Sequence, residues 1–281
     1  MALEKQLMTL RTNLMIRKNF VILLSCIICM SAHARSTQFV PNDLMYQGKP
    51  IDSLCFSDVS SNTIALRKCG SKNANYFIKG INSKLQKEGF IGYNWENRGI
   101  SRGLQGYTYY HFYPAEKSKY WIYTLNNGGG SGDFTNIYLV ERKDKETFSI
   151  RNITGGDRCN GGIENVKENN NVLSWSVNLT AWDLVKLADK KININAYDDL
   201  AACAVCCIGK SYYTIKSGYQ PEFHQVKLEN LKSTTEMPDQ GKYEACFNRI
   251  YLNYVSKNAI YLDKEKLNNF IEYFKKTCLT Y

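Results

Sequence analysis

The chain has 281 residues, 44% hydrophobic and 22% charged, with Lys+Arg 36 against Asp+Glu 26 for a formal net charge of +10. That balance excludes a disordered tail or a collagen-like rod, and 5 Pro with 19 Gly exclude a low-complexity linker. Three histidines leave metal and triad chemistry short of parts, whereas ten cysteines and 20 tyrosines are plentiful.

The first predicted element is a leader. Arg17 and Lys18 precede an apolar run from Phe20 to Met30, followed by Ala32-His33-Ala34. A positive n-region, a short apolar core and small residues before the cut are the pattern of a secretory signal peptide. The run is too short for a stable membrane anchor, which needs about 20 residues. The reading therefore takes residues 1–34 as a signal peptide, with Met15 as an alternative start, and 35–281 as one exported domain. A lipoprotein-like Leu23-Leu24-Ser25-Cys26 offers anchoring at Cys26 as a lesser alternative.

Cys26 and Cys29 leave with the leader, and eight cysteines stay: Cys55, Cys69, Cys159, Cys203, Cys206, Cys207, Cys246 and Cys278. An even number in an oxidising compartment reads as disulfides. Cys55 and Cys69 flank a short segment that one bridge closes.

Strands dominate residues 37–179. Gly89–Tyr93, Tyr107–Tyr113 and Tyr120–Leu125 are rich in aromatic strand formers. Within 107–113, Tyr107, Tyr109, His111 and Tyr113 share one face and Tyr110 and Phe112 the other. The first face is read as a candidate wet aromatic platform, against the plainer reading of ordinary strand composition. The glycine-rich stretch 126–133 then connects to a strand over Phe134–Val140 as a mobile hairpin tip. It lacks the Lys and the following helix of a P-loop. Thr147–Ile150 and Leu173–Leu179 alternate polar and apolar, as half-buried antiparallel strands do.

Between them lies Gly155-Gly156-Asp157-Arg158-Cys159-Asn160-Gly161-Gly162. Two glycine pairs let the backbone turn sharply at both ends. The loop either presents Asp157, Arg158 and Asn160 to a ligand or uses Asp157 to bond its own turn while Cys159 staples it.

The region 180–281 is read as helix-rich. Thr180-Ala181-Trp182-Asp183 starts a helix to about Lys190 in the manner of a capping box. Gly241–Val255 and a helix capped by Asp263, with Leu267, Phe270, Ile271 and Phe274 on one stripe, form a hairpin. Its antiparallel packing predicts a Cys246–Cys278 bridge, leaving Cys159 to one of Cys203, Cys206 and Cys207. The remaining two pair with each other or stay reduced. The fold class expected is α+β, an antiparallel meander followed by helices.

Chemistry is sparse. Cys203-Ala204-Val205-Cys206-Cys207 contains a C-x-x-C pair, which suits a structural bridge, a redox dithiol or half a zinc site. His111 and His224 are the only histidines outside the leader, and no second C-x-x-C exists, so no metal or cofactor is expected. Asp133, Asp157, Asp198 and Asp199 are the carboxylates a hydrolase would draw on. Lysines such as Lys143, Lys145, Lys190 and Lys191 are dispersed among acids, so nucleic acid is not an expected partner.

The run G-G-D-R-C-N-G-G at 155–162, with L-x-W-S at 173–176, L-T at 179–180 and D-D-L-A-A-C-A-V-C-C at 198–207, resembles exported cysteine-containing proteins of Legionella- and Coxiella-type intracellular bacteria. That group carries no assigned chemistry, and the resemblance implies only the setting: the envelope or surroundings of a host-adapted bacterium. The leading expectation is a non-catalytic periplasmic or secreted protein that binds a protein or envelope glycan. A hydrolase around Asp157 and a thiol-disulfide factor at Cys203, Cys206 and Cys207 are the alternatives.

Overall fold

The aromatic and β-branched runs of the first half become strands that pair with their sequence neighbours. A computed structural model describes residues 39–57, 59, 61–99, 102–216 and 220–279. The signal-peptide reading and Cys26 lie outside the described residues.

In chain order the strands are β1 (Met45–Tyr46), β2 (Lys49–Pro50), β3 (Thr63–Ala65), β4 (Tyr76–Gly80), β5 (Ile91–Asn97), β6 (Gln105–Pro114), β7 (Lys119–Asn127), β8 (Phe134–Arg142) and β9 (Thr147–Asp157). They continue with β10 (Ile163–Asn169), β11 (Val172–Leu179), β12 (Gly209–Lys216), β13 (Glu222–Leu228) and β14 (Tyr261–Leu262). The helices are α1 (Ser83–Lys87), α2 (Ala181–Ala188), α3 (Glu244–Lys257) and α4 (Lys264–Cys278).

β4 to β9 form an antiparallel meander, and β3 adds to its β9 edge to complete a seven-stranded sheet. β10 to β14 form a second antiparallel sheet in sequence order, and β1 pairs β2 in a small hairpin. From Val40 onward the chain is one compact unit.

Period two decides the layers. On one face of the seven-stranded sheet Tyr110, Phe112, Ile122, Tyr138, Val140, Phe148 and Ile150 pack under the N-terminal segment bearing Leu44, Ile51 and Phe56. On the other, Trp121 and Ile137 meet Ile163, Leu173, Trp175 and Ile215 of the second sheet. Cross-strand partners share a face, so Leu173, Trp175, Val177 and Leu179 lie on the same side as Ile215, Tyr213, Ser211 and Gly209. The Leu173 end of that face contacts the large sheet, whereas Leu179, Val226, Leu228 and Leu262 pack on α2, α3 and α4.

Local signals explain the helices. Thr180 and Asp183 form a reciprocal capping box on α2, and the Asp263 side chain caps α4 by accepting from the Lys266 N–H. The meander with a helical hairpin at its end is therefore present. The expectation of a helix-rich 180–281 is too simple, because β12, β13 and β14 also lie there and complete the second sheet.

Among the described residues all eight cysteines pair. The bridges are Cys55–Cys69, Cys159–Cys207, Cys203–Cys206 and Cys246–Cys278, with Cα separations of 5.0, 4.7, 5.4 and 6.0 Å. Among the described residues no helix is long and apolar enough to cross a membrane.

Candidate functional site

In a meander every second connection falls at the same end of the sheet. The β5–β6 turn, the glycine-rich β7–β8 turn and the loop leaving β9 therefore gather at one end of the seven-stranded sheet, because Tyr107 pairs Asn127, Asn126 pairs Phe134 and Phe134 pairs Asp157.

The loop after β9 is rigid by construction. Asp157 and Asn160 exchange backbone hydrogen bonds of 2.9 and 2.8 Å. Arg158 takes φ +45° and Gly161 φ +77°, left-handed values that the glycine accepts freely. A Cβ on Gly162 would stand 2.7 Å from the Arg158 nitrogen, so the turn closes only around glycine. Asn178 on β11 donates its N–H to Gly162 O at 2.9 Å and its side-chain amide to Arg158 O at 3.1 Å. The Cys159 N–H reaches Ala204 O at 3.3 Å, and Cys159–Cys207 ties the loop to the 203–207 segment.

The carboxylates have partners. Asp157 Oδ1 accepts from the Asp133 N–H at 2.8 Å and from Arg158 Nε at 3.0 Å, and Oδ2 accepts from Arg158 Nη2 at 3.2 Å. Asp133 Oδ1 accepts from the Tyr107 hydroxyl at 2.7 Å and Asn127 Nδ2 at 3.2 Å. Burial pushes the Asp157 pKa up, but Arg158 and the Asp133 N–H outweigh it and hold the group below its ordinary value. Burial and then Asp133 raise the Tyr107 phenol, which stays a neutral donor at physiological pH. Asp157 is thus held as a carboxylate, and its donors and those of Asp133 fix both groups in place.

Of the sequence candidates, the structure joins Tyr107, Asp157 and Arg158 in this network, and Asn160 contributes its backbone. It separates the rest of the tyrosine face. Tyr109 is buried, donating to Asn94 Oδ1 at 3.0 Å and accepting from the Asn82 N–H at 2.8 Å. Tyr113 donates to Val166 O at 3.2 Å, and burial raises its phenol to about 12. His111 stacks on Tyr113 at 4.4 Å and meets Phe90 edge-on, and burial lowers its pKa, so its ring is neutral and packed. This face is covered by the 82–90 segment and the second sheet rather than wet.

Asp133, Asn127 and the half-exposed Phe134 complete the patch. They were legible as a hairpin tip, not as partners of the 155–162 loop. The signal that connects them is the parity of turns in a meander. Arg158 uses Nε and Nη2 toward Asp157, which leaves Nη1 outside these bonds, and Phe134 is the cross-strand partner of Asp157.

Elsewhere, Cys203 and Cys206 are joined, with Val205 highly exposed between them. Among the described residues no group of three or more His, Cys, Asp or Glu side chains is placed to hold a metal ion. No protein-family model, curated protein or solved structure matches the chain.

Proposed function

We propose that the chain is an exported, non-catalytic envelope protein that binds a protein or envelope glycan through the end of the seven-stranded sheet bearing Tyr107, Asp133, Phe134, Asp157 and Arg158. In a host-adapted bacterium such binding would support envelope integrity, a secretion machine or intracellular growth. The observation that carries this reading is the commitment of both carboxylates to backbone and side-chain donors, which builds a fixed platform. A guanidinium edge and an exposed phenyl ring on a rigid base are recognition groups. Four disulfides suit the oxidising compartment that the leader implies.

Arg158→Ala and Phe134→Ala test the reading, since both side chains reach the surface and neither fills a core. Each variant is compared with wild type for retention of envelope proteins on the immobilised chain and for cosedimentation with purified envelope glycan. The expected result is loss of the same retained protein or glycan in both variants. Retention unchanged in both would overturn the proposal.

A further inference from the structure

The seven-stranded sheet ends on β4, and among the described residues no strand pairs its outer edge. Natural edges are usually short, charged or covered, since an open row of N–H and C=O groups invites another strand. This one presents Phe77 and Ile78, 43% and 47% exposed, on opposite faces, with Ile81 at 56% just beyond. A bulge at Lys79, which pairs with Glu96 at 2.8 Å, guards only the far end of the strand. Asn75 and Phe77 turn their backbone groups to β5 and the Tyr76 N–H donates to Ser71 O at 3.3 Å, so the open groups are Tyr76 O and the N–H and C=O of Ile78.

A polar cavity of about 460 Å³ opens at the near end, lined by Ser71, Lys72, Asn75, Tyr76 and Arg98. Its cations are Lys72 and Arg98, and neither belongs to an ion pair among the described residues. Arg98 lies over the Phe77 ring at 3.9 Å, and the Tyr76 ring stacks on buried Trp95 at 4.1 Å. The strand edge, two apolar side chains and a cationic pocket thus fall in one line.

We propose that this edge is a docking site for an extended peptide that carries apolar residues and ends in an acidic residue. The peptide adds a strand to β4 through main-chain hydrogen bonds, sets two consecutive side chains beside Phe77 and Ile78 on opposite faces, and places its carboxylate between Lys72 and Arg98. Charge selects this occupant. Lys72 and Arg98 stand together at the end of the edge with no ion pair among the described residues, and a carboxylate supplies the missing partner. A sugar would need an open ring to stack on, but the Phe77 face is taken by Arg98 and the Trp95 face by Tyr76.

The experiment is selection of a random dodecapeptide display library on the full disulfide-bonded chain, followed by titration of a synthetic selected peptide. Enrichment of peptides with adjacent apolar residues and Asp or Glu at one end is expected. Binding should fall about tenfold or more in the Lys72→Glu/Arg98→Glu variant and in Ile78→Lys, and peptide should slow amide exchange at Ile78. All three substitutions are on exposed or pocket-lining side chains, and circular dichroism checks that the fold is kept. Three results would overturn the proposal: no acidic enrichment, binding that both variants leave unchanged, or a dimer of the chain that Ile78→Lys abolishes. The platform at Arg158 is untouched by these substitutions, so the two proposals fail independently.

Discussion

Arg158 and Asp157 are adjacent in sequence and hold each other through two hydrogen bonds, while Asp157 also accepts the Asp133 N–H of the neighbouring turn. Asp157→Asn keeps the shape and removes the charge that makes these bonds strong. We expect a loss of about 1 kcal/mol in denaturant unfolding, and faster amide exchange at Asp133. Glu244 is a different case. It is fully buried, Oε2 accepts from the Ala201 N–H, and burial raises its pKa from 4.5 to about 7. The folded protein therefore binds a proton more tightly than the unfolded chain does. The stability this brings is complete below pH 4.5 and is lost as pH rises through about 7. The loss is on the order of 3 kcal/mol, and Glu244→Gln should remove this pH dependence in denaturant midpoints measured from pH 4 to pH 8. Asp157 was legible because two glycine pairs bracket it. Glu244 was not, because nothing in a helical stripe shows that its first residue packs on a distant loop.

The helical hairpin shows how far elements can be read locally. Cys246 lies in the first turn of α3 and Cys278 in the last of α4, so antiparallel packing brings them to a Cα separation of 6.0 Å. The bridge closes a separation of 32 residues. The double variant Cys246→Ala/Cys278→Ala should lose about 3–4 kcal/mol in thermal or denaturant unfolding. A loss confined to Cys203–Cys206 substitution instead would contradict this ordering, because that bridge spans only 3 positions. The meander strands were readable from alternation and aromatic content. β12 and β13 were harder, since Ser211 and Gly209 interrupt the apolar side of β12, and β11 and β14, which flank the pair, come from residues far along the chain. The burial of the Tyr109 face was also hidden, because it depends on the 82–90 segment folding back over β6.

At the scale of the whole molecule, two antiparallel sheets share a core and helices close the rest of the second sheet. Turn-bearing ends and the β4 edge are among the surfaces left outside these contacts. The α+β class and the disulfide framework followed from composition, periodicity and cysteine number. The convergence of Tyr107, Asp133 and Asp157 did not, since it arises only when β6 to β9 are paired in register. The partner surface we propose is this end of the sheet. A direct check replaces Phe134 with a photo-crosslinking phenylalanine analogue in the cell that produces the chain, with the exposed Tyr273 of α4 as the control position. Illumination should yield a discrete protein or glycan adduct from position 134 and none from position 273. No adduct at 134, or the same adducts from both positions, would contradict the account.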